Sequence, residues 1–435
     1  MKLFLSALCC IVALPCISQT VCRSTDYRKH QLQADPALGQ AVAAVEAFTA
    51  NQVSRRPIVV AGGAAGVTGG AAAGNGSSGS GGVLSNTSVI TIPVVVHILY
   101  HSGAENISDV QVQSQIDVLN ADYQKRNADT MGIPLYYRSL AAGCGFRFGL
   151  ALADTNGQAT TGILRKYTDV TAFTIDDGIK SSATGGDDGW DRDRYLNIWV
   201  GNLSGDLLGY SSIVGGPKAT DGVVVLYTAF GTNGAAKAPF NRGRTTTHEI
   251  GHWLNLIHTW GDDSCGNDEV ADTPPQVGPD YGDPTGSIIS CGNAPYGNLY
   301  MDYMDFTDDI GMHLFTYGQR DRMRALFVPG GFRYPLMSST VPVAVTDSVG
   351  SSADVSVVGM TVWPNPAVSG VTVKLADPSG VGGLLEVFDQ MGRRVKVVRI
   401  TAMVVPLDVS GWSPGMYFIR VSGGRGVVAG KLLKI

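Results

Sequence analysis

Three histidines and one glutamate have the types and spacing of a catalytic metal site. The segment from His248 to His258 has the sequence HEIGHWLNLIH. Residues four apart lie on one face of a helix, so His248 and His252 are predicted to present ring nitrogens to one ion. His258 follows a predicted bend and completes three protein ligands, which with one open position is how a catalytic zinc is built. Glu249 is placed to hold a water beside the metal, so the segment predicts a zinc hydrolase.

A chance surface helix is the plainer explanation of a histidine pair spaced like His248 and His252. Against it, the chain has 7 histidines and three of them fall in this one segment. Asn255 stands where the extended metzincin motif has a glycine that leaves the helix with positive φ. Besides glycine, Asn tolerates the left-handed region best, so we keep His258 as the third ligand.

A second stretch carries a family resemblance. Residues 304–309 have the sequence MDFTDD, and FTYGQ follows at 315–319. Together with the histidine motif, these segments resemble the pappalysin family of metzincins, especially its small bacterial members. The resemblance implies a mixed α/β (α+β) zinc protease domain with an active-site cleft between two subdomains. It also implies that Met304 forms the methionine turn beneath the metal, although Met304 as core filler is the plainer alternative.

The chain departs from the family two residues after Met304. The family has a tyrosine there whose hydroxyl is thought to stabilise the tetrahedral intermediate, and this chain has Phe306. We expect Tyr303, next to the turn, to substitute for it. The family's two disulfides in this region are reduced to one, which the resemblance implies is Cys265–Cys291, and export makes such a bridge plausible.

Acidic residues suggest two further features. The loop at 261–273 offers Asp268, Glu269, Asp272 and Thr273 as calcium ligands, since carboxylates and carbonyls in a loop suit that ion. The resemblance implies structural calcium near this loop, and a solvated acidic loop is the alternative.

Cleavage specificity is the second of these features. Small members of the family favour a basic residue just after the scissile bond. Asp308 and Asp309 lie in the segment expected to line that pocket. A carboxylate there would attract a basic side chain, so the resemblance implies a basic preference here as well.

Export is predicted from the N-terminus. Met1 and Lys2 precede an apolar run to Pro15 that is too short to span a membrane, as in a secretory signal peptide. Cys22 follows, in a stretch that resembles the cysteine-switch pro-segment of small pappalysins. A thiolate ligates zinc well and would fill the open position until cleavage, whereas an incidental cysteine is the alternative. Cys144 is most simply a buried thiol.

The C-terminal region resembles a sorting domain. The runs VWPNP at 362–366, VFDQMGR at 387–393, MYFIRV at 416–421 and KLLKI at 431–435 strongly resemble the sorting domain of type IX secretion cargo. The resemblance implies outer-membrane secretion machinery as a partner and a secreted or cell-surface location in a Gram-negative bacterium. Its short alternating runs suggest a small all-β sandwich. A carbohydrate- or protein-binding module is the alternative.

At 435 residues the chain is too long for one average domain, and its net charge of −5 without a basic run disfavours nucleic-acid binding. The predicted organisation is a signal peptide (1–19), a pro-segment (20–58), a Gly/Ala/Ser-rich linker (59–88), a catalytic domain (89–332), a second linker (333–358) and the sorting domain (359–435).

Apolar and amphipathic runs predict the elements that position the site. These are strands at 89–100, 146–153, 196–200 and 223–227, a helix at 108–126 with Ser108 as N-cap, the zinc helix at 245–256 and a closing helix at 319–327. We expect the strand at 223–227 to lie at the edge over the cleft. An extended substrate is then expected to pair with it.

These observations predict a secreted, zinc-dependent endopeptidase that acts on proteins and peptides, is made as a latent zymogen and is a monomer. Glu249 is expected to take the proton of the attacking water as general base and deliver it to the leaving amine. The competing hypothesis is a secreted binding protein or adhesin on a metalloprotease fold that has lost activity. Phe306 favours that alternative, and the intact Glu249 argues against it.

Overall fold

The computed structural model describes residues 21–55, 88–344, 360–375, 381–389, 393–423 and 426–435. The predicted signal peptide lies outside these ranges, as do nearly all of the Gly/Ala/Ser-rich linker and residues 390–392 of the sorting-domain motif. The chain divides into two compact units, Met1–Thr346 and Asp347–Ile435.

The helices are α1 (Ser24–Ala34), α2 (Leu38–Ser54), α3 (Asp109–Asp122), α4 (Leu135–Arg138), α5 (Arg244–Trp253) and α6 (Tyr317–Ala325). The strands of the first unit are β1 (Val21–Cys22), β2 (Ile90–Tyr100), β3 (Ala141–Ala142), β4 (Phe146–Ala151), β5 (Ile163–Tyr167), β6 (Leu196–Gly201), β7 (Leu207–Ser211), β8 (Val223–Leu226), β9 (Tyr281–Gly282), β10 (Phe306–Thr307), β11 (Phe315–Thr316) and β12 (Val343–Ala344). Short 3-10 turns span Ala128–Gly132, Gly178–Lys180, Ser182–Thr184, Lys218–Thr220, Tyr227–Ala229 and Tyr334–Ser338.

One sheet organises the first unit, with strand order β1-β7-β8-β6-β2-β4-β12 and β5 paired to the second half of β2. Strands β4, β2, β6 and β8 run parallel, and β7 is antiparallel to β8. The central strand β2 is apolar along nearly its whole length and buried on both faces, as parallel strands between covering layers usually are. The first unit is therefore a mixed α/β fold, as predicted.

The prediction that the strand at 223–227 lies at the edge of the sheet is wrong. Strand β8, which corresponds to the predicted strand at 223–227, lies inside the sheet between β6 and β7. The edge of the catalytic part is β7, and the pro-segment strand β1 pairs with it in parallel. An apolar run is equally expected in an interior strand and a half-covered edge strand, so its composition did not distinguish them.

Two helices cover one face of the sheet. Helix α3 packs against β4 and α5, and α5 packs against β7 and β8. Ser108 caps α3, as predicted, because its hydroxyl accepts a hydrogen bond from the Gln111 N–H at 3.2 Å. Their shared core includes Ile92, Ile116 and Trp253. The zinc-motif helix is thus fixed to the strands that end at the cleft.

The segment after α5 is mostly irregular and ends in α6. A capping box of Thr316 and Gln319 begins α6 at Tyr317, two residues before the predicted start. Cys265 and Cys291 form the predicted disulfide, with Cα atoms 5.7 Å apart.

The predicted start of the second linker, residue 333, is wrong. Leu336 and Val341 are buried, and β12 pairs with β4, so the chain from 333 to 344 belongs to the first unit. This stretch contributes a strand to the main sheet rather than leaving the domain.

The second unit consists of two antiparallel sheets, as predicted for a small all-β domain. The strands are β13 (Met360–Trp363), β14 (Gly370–Leu375), β15 (Leu384–Asp389), β16 (Arg394–Arg399), β17 (Val404–Asp408), β18 (Gly415–Gly423) and β19 (Gly426–Lys434), arranged as β13-β14-β17 and β16-β15-β18-β19. Alternate residues such as Val371, Val373, Leu385 and Ile419 form its core. Across the described ranges of both units, no helix is long and apolar enough to cross a membrane.

Candidate active site

Helix α5 places the first two histidines on one face. The Nε2 atoms of His248 and His252 lie 3.1 Å apart, as expected for positions separated by one turn. His248 is 3% exposed and Glu249 is fully buried. The helix begins after Gly243, whose φ of 74° is readily adopted by glycine.

The chain leaves α5 through the residue predicted to allow it. Asn255 has φ 73°, in the left-handed region. The Leu256 N–H then donates to the carbonyl of Gly251 at 2.9 Å, which closes the helix end. This reversal brings His258 Nε2 to within 3.0 Å of His252 Nε2. The prediction that Asn replaces the motif glycine without loss of geometry is confirmed.

The other ring nitrogen of each histidine has an acceptor within the same unit. His248 Nδ1 lies 2.7 Å from the Tyr303 carbonyl, His252 Nδ1 lies 2.9 Å from the Leu256 carbonyl, and His258 Nδ1 lies 2.5 Å from an Asp262 carboxylate oxygen. A proton on each Nδ1 leaves all three Nε2 lone pairs facing one point. Sequence reasoning missed Asp262 in this role, because one acidic residue in an acidic loop carries no distinguishing signal.

The donor set fits a zinc ion. Burial and the neighbouring imidazoles hold the pKa of His248 well below its usual value, and burial lowers the pKa of His252 to about 3. The His248 and His252 rings are therefore neutral at physiological pH, as metal ligands must be. His252 Nε2 lies 3.1 Å from His248 Nε2 and 3.0 Å from His258 Nε2, and with a proton on each Nδ1 these nitrogens have none to share, so a cation at their centre satisfies all three.

Cys22 is the fourth member of this group. Its Sγ lies 3.6 Å from His252 Nε2, and the four ligand atoms lie within 4.8 Å of one another. Strand β1 brings it there by pairing Cys22 with Gly209 of β7. The structure thus places the predicted zymogen residue against the three histidines.

Met304 lies directly beneath α5. A Cβ built on Gly251 would lie 2.4 Å from the Met304 sulfur, so the glycine of the histidine motif makes room for this side chain. Met304 is fully buried. Its carbonyl accepts a hydrogen bond from the Thr259 N–H at 3.3 Å, close to His258 in the chain. This is the position predicted for the methionine turn.

The prediction that Tyr303 supplies a hydroxyl to the site is wrong. Tyr303 is fully buried, and its hydroxyl accepts a hydrogen bond from the Arg244 guanidinium at 2.8 Å. Arg244 also pairs with Asp122, so the hydroxyl belongs to a buried ionic cluster. Only the Tyr303 carbonyl serves the site, through His248.

Phe306 lines the site with its ring. The ring centre lies 4.8 Å from that of His258 and 5.7 Å from that of His248. Phe306 is therefore at the place where the family resemblance puts a tyrosine, but it offers no hydroxyl.

Glu249 is held by the pro-segment. Its Oε2 accepts a hydrogen bond from the Ser24 hydroxyl at 2.8 Å, and the Ser211 N–H donates to that same hydroxyl at 2.8 Å. Gly209 lies so close to Glu249 that a Cβ there would be 3.0 Å from the Glu249 Cγ. Burial raises the pKa of Glu249 to about 8. Sequence reasoning missed Ser24, because a serine after Cys22 has no distinguishing pattern.

A pocket opens beside Glu249, and Asp309 is one of its lining residues; the others include Leu208, Phe240, Thr245, Phe306 and Met312. Asp309 is 1% exposed and accepts hydrogen bonds from the Arg242 and Arg244 N–H groups. Burial raises its pKa to about 6. Asp308 is not among the residues that line this pocket, and its N–H donates to the Gly282 carbonyl at 2.7 Å. The structure therefore places Asp309, and not Asp308, at this pocket, and the role of either residue in specificity stays a prediction.

The predicted calcium ligands bond to the protein itself. Asp268 accepts from the Thr273 hydroxyl at 2.7 Å, and Glu269 accepts from Asn267 at 2.8 Å. Asp272 accepts from the Thr316 hydroxyl at 2.7 Å and the Gly318 N–H at 2.9 Å, which ties this loop to the start of α6. Calcium binding stays a prediction.

Comparison with known proteins agrees with this geometry. Residues 180–328 match the model of the peptidase M43 family, described as pregnancy-associated plasma protein-A, and residues 361–434 match that of the secretion system C-terminal sorting domain. An extracellular metalloprotease of Pyricularia oryzae is 30% identical over 257 residues, which covers 57% of this chain and 78% of that protein.

Two solved structures from Tannerella forsythia are also similar. Mature mirolysin in complex with a cleaved peptide is 46% identical, with a TM-score of 0.57 over 58% of this chain and 96% of mirolysin. A promirolysin mutant is 38% identical, with a TM-score of 0.61 over 73% of this chain and 97% of promirolysin. The chain therefore belongs to the peptidase M43 (pappalysin) family of metalloendopeptidases, and its sorting domain directs it out of a Gram-negative cell by type IX secretion.

Proposed function

We propose that the protein is a zinc-dependent endopeptidase made as a latent precursor, with His248, His252 and His258 as the zinc ligands and Glu249 as general base. The observation that carries the proposal is the cluster of three histidine ring nitrogens beside a buried glutamate. Zinc held there would polarise the scissile carbonyl and lower the pKa of the attacking water.

Glu249 performs the proton transfers in this proposal. It is the next residue after His248 on α5, and both side chains line the same pocket. Burial raises the pKa of Glu249 to about 8 while the pro-segment covers it; once uncovered, the ionised carboxylate can take a proton from water and pass it to the leaving amine nitrogen. Phe306 has no hydroxyl and therefore contributes no hydrogen bond to the transition state.

The substrate lies along β7 rather than β8. Strand β7 is the edge of the catalytic part of the sheet once the pro-segment is gone, because the pairing beyond it is made by β1. An extended peptide is recognised well by such an edge through main-chain hydrogen bonds. Gly209 of β7 lies against Glu249, so a peptide paired there passes the general base.

A basic residue just after the scissile bond suits the pocket that Asp309 lines. The walls are mostly apolar, which would hold the stem of an arginine or lysine, and Asp309 supplies a carboxylate. The two N–H groups that bond Asp309 fix its orientation.

Latency rests on two adjacent contacts. Cys22 would supply a fourth ligand to a metal held by the three histidines, and the Ser24 hydroxyl donates a hydrogen bond to the Glu249 carboxylate that must act as base. Strand β1 also covers the β7 edge on which a substrate would pair. Removal of the pro-segment frees the metal, the base and the edge strand together.

Hydrolysis of a protein substrate by the processed form tests the proposal. Glu249→Ala is expected to lower the rate by about 10²–10⁴-fold while zinc content stays at that of the wild type. Asp169→Ala is the matched control, since Asp169 is exposed and its charge acts on Tyr167 rather than on the histidines. The proposal fails if the processed wild type and Glu249→Ala are equally inert with zinc bound, and the binding-protein hypothesis then gains.

A further inference from the structure

Tyr27 of the pro-segment occupies a polar and aromatic site on the catalytic part of the first unit. Its side chain is almost fully buried, and its hydroxyl donates to Asp177 Oδ2 at 2.6 Å. The ring centre lies 4.9 Å from that of Tyr210. Lys180 Nζ lies 4.9 Å from the Tyr27 ring centre and 4.8 Å from that of Tyr210. The phenol thus meets an acceptor at its hydroxyl and a cation at its face.

Lys180 and Asp177, which receive Tyr27, bond to each other and to the catalytic part, and Asp177 Oδ2 also accepts from Gln31 of the pro-segment at 3.4 Å. Lys180 Nζ pairs with Asp177 Oδ1 at 2.8 Å and donates to the Thr220 carbonyl at 3.0 Å. Lys180 is also 5.6 Å from the Trp199 ring centre. The side chain of Lys180 is fully buried, and such a cation stays in place when its partners are fixed. The pocket should therefore keep its form when the pro-segment leaves.

We propose that Asp177, Lys180 and Tyr210 form a phenol-recognition site, which holds Tyr27 in the precursor and accepts tyrosyl side chains of bound peptides in the processed enzyme. Because Tyr210 follows Gly209 on β7, the site lies along the strand proposed to bind substrate, and this extension rests on the proposed function. The carboxylate distinguishes tyrosine from phenylalanine, since only tyrosine donates a hydrogen bond to it. Lys180 favours an aromatic ring by a cation–π contact and disfavours a basic side chain.

Binding of synthetic peptides to the processed protein tests this site. The protein carries Glu249→Ala so that no peptide is cleaved, and the ligand has the sequence of residues 21–35. Calorimetry compares this peptide with its Tyr27→Phe and Tyr27→Ala versions. Loss of the hydroxyl is expected to weaken binding about tenfold, because a hydrogen bond to a charged acceptor is removed, and loss of the ring is expected to weaken it further.

These peptide variants leave the protein unchanged, so folding does not complicate the result. Equal binding of all three peptides, or no binding of the unaltered peptide, overturns the proposal. Asp177→Asn in the protein gives the matched test, with Asp176→Asn, an exposed neighbour, as its control. Asp177→Asn should weaken the unaltered peptide about tenfold and the Tyr27→Phe peptide little. An equal loss for both peptides would mean that Asp177 does not read the hydroxyl.

A kinetic comparison separates this proposal from the proposed function. Pairs of substrates that differ only by tyrosine or phenylalanine are scanned through the positions flanking the cleaved bond, with the active processed enzyme. One position should favour tyrosine several-fold in kcat/KM. Cleavage without such a position overturns the phenol site and leaves the peptidase intact. Absence of all cleavage overturns the peptidase, and the calorimetry still decides the phenol site.

Discussion

The histidine cluster and the pro-segment that covers it meet at one point but are held in different ways. Each histidine is oriented through Nδ1 by an acceptor in the catalytic part, two of them backbone carbonyls. Cys22 and Ser24 instead reach the site through side chains that contact the catalytic groups themselves. The three histidines are therefore held by the catalytic part itself, whereas Cys22 and Ser24 stay at the site only as long as the pro-segment is attached.

The largest effect is expected from a change that weakens the histidine cluster and leaves the pro-segment unaltered. Asp262→Asn replaces the carboxylate that orients His258, and second-sphere changes of this kind weaken metal binding about 10–100-fold. Competition with a zinc chelator measures the change in the processed protein. Asp263→Asn is the control, because Asp263 accepts from the Ser264 N–H in its own loop. Equal zinc affinity in the two variants would remove Asp262 from the metal site.

The next change weakens only the contact between the pro-segment and the histidine cluster. Cys22→Ala removes the thiol beside the histidines and should speed activation of the precursor about tenfold, since one ligand to a well-held zinc is lost. The rate at which peptidase activity appears after purification measures it. Cys144→Ala, which changes the buried unpaired thiol of the main core, should leave activation unchanged. An unchanged rate in Cys22→Ala would show that the thiol does not maintain latency.

Ser24→Ala tests the second contact of the pro-segment, the one with Glu249. It removes a hydrogen bond to the Glu249 carboxylate and should speed activation by a smaller factor, about threefold to tenfold. The double variant with Cys22→Ala should be faster than either single variant but by less than the product of the two factors, because the Ser24 N–H donates to Cys22 Sγ at 3.3 Å and both residues interact with Glu249. A double variant no faster than Cys22→Ala would mean that Ser24 adds nothing to latency.

The smallest expected effect concerns pH and cleavage preference. Burial raises the pKa of Asp309 to about 6, so this carboxyl gains a proton and loses its charge as the pH falls from 7.5 to 5. The ratio of kcat/KM for arginine over leucine after the scissile bond should then fall several-fold. Asp309→Asn should show a low ratio that does not change with pH. A wild-type ratio that is constant over this range would place the basic preference elsewhere.

The sequence predicted the part of the site that lies on regular structure. Period and spacing placed His248 and His252 on one helix face, and the tolerance of Asn for positive φ placed His258. Spacing along the chain also identified Met304. These predictions succeeded because helix geometry and backbone preference are local properties.

Predictions that depended on tertiary packing were less successful. The direction of the Tyr303 side chain depends on the buried Arg244 and Asp122, which lie far from it in the chain. The edge strand was misassigned because sheet order differs from chain order, and β7 folds back beside β8. Asp262 and Ser24 act through single contacts made only after folding, and no residue pattern marks them.

Zinc-edge X-ray absorption on the precursor and the processed form measures directly whether the three histidines hold zinc and whether Cys22 ligates it only in the precursor. We expect zinc with three nitrogen ligands and one sulfur ligand in the precursor. After the pro-segment is removed, we expect three nitrogen ligands and no sulfur ligand. Cys22→Ala should lose the sulfur signal in the precursor as well. A precursor whose zinc has no sulfur ligand, or a processed form that retains one, would contradict the assignment of Cys22 as the fourth zinc ligand.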